Sequence, residues 1–511
     1  MRFRSDDDDK QMYGEQVYGE ARVSLPPGAP AGDTRSLGRV IGIAIFAGLI
    51  ALAAGTGYVS ATSTASWFPA KWDPRIQPIA DEVARLRGLN FVHPVAVRYL
   101  APKDFEKKVG VSDGISAAGR AEARREEAVF RSLGFIGGKV DLLKGIDTAQ
   151  TSGTLAYYDP AEEDIIVRGT TLDVAHRVTI AHELTHVLQD QHFDLPKLQK
   201  RAADSDTGDL SSLKALIEGD AVRIQQDYLK KLSAADKSEY DRENSVVGAR
   251  VKKETTSVPE IVSLLSDAPY ELGPSTIRVL VAGGGNQAVN DALTGPTPSS
   301  GVFIQTGLVE PAVAVSSPLP PADGTVVGKS EIFGPFEMFL TLATRIDPGR
   351  ALQAADVVDG GRALTFRSNG VTCYRVSVNP ASATSRPLLL GAVNEWANRR
   401  ARTTVDTSGD LVGFTACDPG KAAPDPKSAQ LGTAAELLFV RTALTVEVAK
   451  GPMTGPQARC VAREFVAAPG AQALVLGVGS GKPSPEQATQ LQQLSAASAI
   501  ACLRDTSAGL G

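Results

Sequence analysis

The chain has 511 residues, 58 acidic against 53 basic, for a formal net charge of −5. No dense Lys/Arg stripe interrupts that balance, which excludes a nucleic-acid-binding surface and leaves no nucleic-acid partner expected. The length exceeds one ordinary core, so two or more folded units are expected.

In chain order, residues 1–39 are polar and rich in Gly and Pro and read as a disordered cytoplasmic tail. The run 6–10 (DDDDK) has the sequence of an enterokinase cleavage tag and is set aside. Residues 40–59 (VIGIAIFAGLIALAAGTGYV) are 20 uncharged residues, enough to cross a hydrocarbon core, and predict a transmembrane helix over 40–60. A cleaved signal peptide is the rival reading. Arg35 and Arg39 precede this stretch and the next basic residue is Lys71. The positive-inside rule therefore puts the N-terminus in the cytoplasm and the bulk of the chain outside the cell membrane.

From residue 76 the pattern is globular. A helix is expected over 76–89, a strand over 94–100 and a charged helix over 117–133. A β-hairpin is expected from strands 155–158 and 164–167 around the turn signal Asp159-Pro160. A helix follows over 172–191 and another over 210–229. Pro, Ser and Gly collect over 296–330, which reads as a linker between a domain at 72–295 and a C-terminal region at 331–511. Beyond it, 333–346 reads as helix and 364–378 and 436–448 as strand-rich. Ser484-Pro485-Glu486-Gln487 opens a last helix. Cys373, Cys417, Cys460 and Cys502 include no C-x-x-C pair. Their even number, outside the cytoplasm, predicts two disulfides, with nearest neighbours joined as Cys373–Cys417 and Cys460–Cys502. The expected fold class is α+β, with a disulfide-containing α/β region at the C-terminal end.

Three of the five histidines fall in 182–192 (HELTHVLQDQH). His182 and His186 are four apart and share one side of a helix, so both can grip one metal ion. Glu183 then stands beside the open coordination position, where it can take a proton from bound water; this is the chemistry of a zinc hydrolase. The third ligand is Glu218 or His192. His192 has metzincin spacing, but Gln189 occupies the place where that pattern needs glycine to turn the chain. Glu218, on the following helix, completes a His₂Glu set and is preferred. Asp220 is a residue that could orient a ligand histidine. Tyr228 and Tyr270 are possible donors to an oxyanion or packing tyrosines. His176 reads as structural, and His93 has no identifiable partner.

The stretches HELTHVLQDQHFDL and ALIEGDA resemble the gluzincin side of the zinc metallopeptidases. More closely they resemble prokaryotic, often membrane-anchored metallopeptidases related to the peptidase MA-like families. The similarity runs from Arg87-Gly88-Leu89 through Tyr157-Tyr158-Asp159-Pro160 and resumes at Ala268-Pro269-Tyr270 and Gly283-Gly284. It departs after Gly295-Pro296-Thr297, where PSSGVFIQTGLVEP replaces the relatives' pattern. The resemblance implies a zincin-like fold, Zn²⁺ as cofactor, a peptide or protein substrate, and an edge strand at 165–168 that pairs with it. The expected function is a membrane-anchored extracytoplasmic zinc peptidase. The alternative is an inactive zincin-like envelope scaffold. The C-terminal region is a place where a protein partner could bind.

Overall fold

The computed structural model describes residues 68–110, 115–307, 312–407, 409–426, 430–478 and 483–507. Helices make up 60% of it and strands 12%. The expected α+β class is thereby corrected to a predominantly helical fold. Part of the reason is local. The β-branched run at 436–448 read as strand, yet it lies within the helix Gln430–Ala449. Leu431, Ala434, Leu437 and Leu438 of that helix are all within the main core. A helix apolar around most of its circumference carries no alternation to betray it, and packing decides its conformation. The stretch 40–59 lies outside the described residues. Among the described residues no helix is long and apolar enough to cross a membrane, so the expected single-pass placement is withdrawn.

Two sheets organise the chain. The first has three strands, β1 (Ala96–Leu100), β2 (Ala156–Asp159) and β3 (Asp164–Arg168), in the order β1-β3-β2. β2 and β3 form the expected antiparallel hairpin, and β1 adds parallel to β3. The second sheet holds the short strands β4 (Thr325–Val326) and β5 (Glu331–Ile332) and the longer β6 (Val358–Ser368) and β7 (Val371–Pro380). It is completed by β8 (Thr403–Asp406) and β9 (Val412–Cys417).

Three helices frame the first sheet: α1 (Gln77–Arg87), α2 (Val174–Phe193) and α3 (Leu210–Lys231). Ile79 and Val83 of α1, Ile165 and Val167 of β3, Val178 and Leu184 of α2, and Ile224 of α3 share one core. α2 starts where the Asp173 carboxylate accepts from the His176 backbone N–H. Two further helices, α4 (Glu260–Glu271) and α5 (Gly273–Thr294), pack on α3. The contact needs two glycines. A Cβ on Gly219 would fall 2.5 Å from the Gly273 carbonyl carbon, and one on Gly273 would fall 2.3 Å from Ala215 O.

The segment expected as a linker is partly core. Val302, Phe303 and Ile304 join one apolar cluster with Val129 and Ile261 from the N-terminal side and Phe339, Trp396 and Phe414 from the C-terminal side. Buried apolar packing therefore runs across the boundary that proline and serine content suggested.

Both disulfides pair as the sequence predicts. Cys373 and Cys417 stand opposite each other in the β7–β9 register. Cys460–Cys502 ties the helix Gly455–Ala467 to the last helix, Pro485–Ser507. The latter starts with reciprocal bonds between Ser484 and Gln487. Replacing Cys460 and Cys502 together with alanine is expected to lower the unfolding free energy by about 2–4 kcal/mol. Urea denaturation of the oxidised proteins measures it, and an unchanged midpoint would contradict it.

Candidate metal centre

α2 and α3 lie side by side, and their facing sides carry the polar residues the motif singles out. His182 and His186 on α2 and Glu218 on α3 each bring one ligand atom to within 4.8 Å of the others. Each histidine Nε2 is 3.2 Å from Glu218 Oε2, and the two Nε2 atoms are 3.0 Å apart. All three side chains are buried, Glu218 completely.

The surroundings decide which nitrogen carries each proton. Gln189 donates from Nε2 to Ile217 O at 3.0 Å and to Asp220 Oδ2 at 3.2 Å. Its Oε1 is therefore the end that faces His186 Nδ1, at 2.9 Å, and an oxygen there can only accept. His182 Nδ1 likewise meets Gln225 Oε1 at 3.0 Å. With both Nδ1 atoms donating, both neutral rings turn lone pairs toward each other and toward a carboxylate. Glu218 Oε1 is buried with no hydrogen-bond partner among the described residues. Two imidazole lone pairs and a carboxylate facing one another in a dry space form a group that could hold a cation, and nitrogen and oxygen donors of this kind suit zinc among others.

Without a metal a proton takes that place. Burial opposes charge on His186, but Glu218 and Glu183 overcome it and raise the imidazole to about 9. Burial opposes the Glu218 charge too, and the two histidines hold it down at about 2. A metal bound here would therefore have to displace a proton from His186. Its apparent affinity is expected to rise up to about tenfold per pH unit below that value and to level off above it. Titration against a buffered chelator at several pH values tests this, and a flat profile would count against it.

Glu183 is beside this group but not in it. Its Oε2 accepts the Tyr158 backbone N–H at 2.8 Å. Burial raises its pKa, with the two histidines pulling the other way. Tyr158 is on β2, so β2 is the strand that meets α2 at the site. The strand expected to receive substrate, 165–168, is instead β3. That is a correction, because β3 is the central strand, paired on both sides. The edge at this position is β2. Tyr158 also donates its hydroxyl to Asp190 Oδ2 at 2.8 Å.

The remaining residues separate cleanly. Tyr270, on α4, stacks near the His182 ring at 6.1 Å between centroids. Burial and the adjacent Glu218 and Glu183 carboxylates hold its hydroxyl well above the ordinary range. Tyr228 packs in the core with Ile224, and its charged neighbours are Arg177, Asp236 and Glu82 rather than the metal group. α2 continues unbroken to Phe193, so His192 is turned away, exposed, with Nε2 2.8 Å from Asn90 O. Asp220 reaches His186 only through Gln189. His176 bridges Asp173 and Arg168 O at the start of α2, and His93 stacks on Phe68 and faces Glu163.

No family model, curated protein or solved structure matches this chain. The gluzincin resemblance accordingly rests on the motif residues and their arrangement alone.

The contacts of Gln189 and Gln225 with the histidines and of the Tyr158 N–H with Glu183 were not among the sequence expectations. A helical signal for the two glutamines was there. Gln189 follows His186 by three residues, and Gln225 follows Glu218 by seven, which returns each to its ligand's face. The Tyr158 contact had none, because it is made between a strand and a helix by tertiary packing.

Proposed function

We propose that this protein is a zinc-dependent peptidase whose metal is held by His182, His186 and Glu218. The observation that carries the reading is Glu183. A buried carboxylate stands next to a three-donor cluster, is fixed by a backbone N–H, and is not one of the donors. A purely structural metal site has no use for it, whereas hydrolysis needs a base there.

Bound zinc would supply an acidified water and polarise a carbonyl oxygen. Glu183 would take the proton at its free carboxylate oxygen and return it to the leaving nitrogen. Its raised pKa brings it nearer to working pH, as a carboxylate in this role requires. The Tyr270 hydroxyl remains protonated beside the Glu218 and Glu183 carboxylates and would serve as donor to a developing oxyanion. β2 has β3 as its only strand partner among the described residues, and Glu183 takes the Tyr158 N–H on its other side, so an extended peptide would pair with the remaining groups there.

A second reading, a zinc-binding scaffold without activity, draws on the nearly complete burial of His182, Glu183, His186 and Glu218. Incubating the purified full chain with a peptide library, with and without a chelator, separates the two. Chelator-sensitive cleavage is expected. Stoichiometric zinc with no cleavage would favour the scaffold.

A further inference from the structure

Arg87 and Asp220 form an ion pair in which neither side chain reaches solvent, with Arg87 Nε 2.6 Å from Asp220 Oδ2. The hydrolysis proposed above makes no use of it. Taking both charges out of water is costly, and an apolar pair of the same volume commonly packs as well or better. Stability alone is thus a poor account of this pair.

Its connections supply a better one. Asp220 is engaged on both oxygens. Arg223 donates to Oδ1 at 2.7 Å, while Arg87 and Gln189 share Oδ2. The guanidiniums are held in turn by α5. Asn290 Oδ1 accepts from Arg87 at 2.7 Å, and Asn286 Oδ1 accepts from Arg223 at 2.9 Å. These asparagines face back because α5 breaks at Gly284 and Gly285, the latter with φ of 64° in the left-handed region. Asp220 so held presents only acceptor atoms to Gln189. Together with Ile217 O, which also accepts from Gln189 Nε2, that fixes the Gln189 amide with its NH₂ toward Asp220 and its oxygen toward His186 Nδ1.

We propose that Arg87 is a remote positioning residue for the metal site. Through Asp220 and Gln189 it sets the tautomer and ring orientation of His186, so that Nε2 faces the other donors. This rests on the zinc-site reading above. An arginine suits the role because two of its nitrogens serve different partners, Asp220 and Asn290, which a lysine ammonium on a flexible stem does not reproduce.

The test measures zinc affinity of the full chain by chelator competition, alongside thermal unfolding of the metal-free protein. The variants are Arg87→Met, Arg87→Lys, Gln189→Met and the Arg87→Met/Gln189→Met double. Arg87→Met and Gln189→Met should each weaken zinc about 10–100-fold. Arg87→Lys should recover only part of the loss. The double variant should be little worse than the weaker single, because both act on one chain of contacts. A structural role alone would lower the unfolding temperature and leave zinc affinity of the folded protein unchanged. That result, or strictly additive losses, would overturn the proposal. If Arg87→Met does not fold, Gln189→Met and Asn290→Ala decide, since neither strips Asp220 of its two arginines. Wild-type protein that binds no zinc is a separate outcome, which removes the metal site and this role with it.

Discussion

Glu183→Gln is expected to retain zinc while peptide hydrolysis falls by about 10²–10⁴-fold, the usual contribution of a general base. Glutamine is close in size and its side-chain oxygen can still accept the Tyr158 N–H, so β2 and α2 keep their contact. What it loses is the capacity to take a proton. Metal analysis and turnover measured on the same preparation check both halves. Zinc loss in this variant would mean that Glu183 is itself a ligand. Unchanged turnover would remove it from the chemistry.

Glu218→Ala is expected to do the reverse and abolish metal binding first. Zinc sites of comparable size contribute roughly 10–16 kcal/mol, and losing one donor of three forfeits about a third of that, or a weakening of about 10²–10⁴-fold. Part of the loss is offset in the metal-free state, where a metal then meets less competition from the His186 proton. Glu218 is the first of the carboxylates that raise His186, and without it burial acts on that ring with less opposition. The expected result is protein purified with little zinc and no chelator-sensitive activity. Full zinc retention would place the third donor elsewhere, and His192, exposed and bonded to Asn90 O, would not be its replacement without a rearrangement of α2.

The parts of this molecule legible in its sequence are those governed by short-range geometry. Helical periodicity places His182 and His186 together whatever surrounds them. The turn at Asp159-Pro160 announced the β2–β3 hairpin, and the neighbouring cysteines found each other. Glu218 was recognisable because it lies on an adjacent helix in a familiar pattern. Packing hid the rest. The run 436–448 has the residues of a strand and the surroundings of a core helix. The Pro- and Ser-rich stretch beyond 296 suggested separation, but Val302, Phe303 and Ile304 bury themselves in a shared core. β3 was taken for an edge because a hairpin does not reveal that β1, more than 50 residues earlier, adds to its far side. Arg87 stood out in the sequence only as part of the family resemblance; only the fold brings it to Asp220, 133 residues away.

The touching glycines of α3 and α5 have a mechanical consequence. Gly219 directly follows the ligand Glu218, and Gly273 follows Tyr270 by three residues. Where main chain rests on main chain there is no side chain to swing aside, so the spacing between carboxylate and phenol is a hard stop rather than a cushion. A single methyl inserted at either place would act as a shim at the start of α5, three residues beyond the tyrosine. It would shift the phenol relative to the ligands without altering a reacting group, and the reaction would register a displacement that no inventory of its participants could trace.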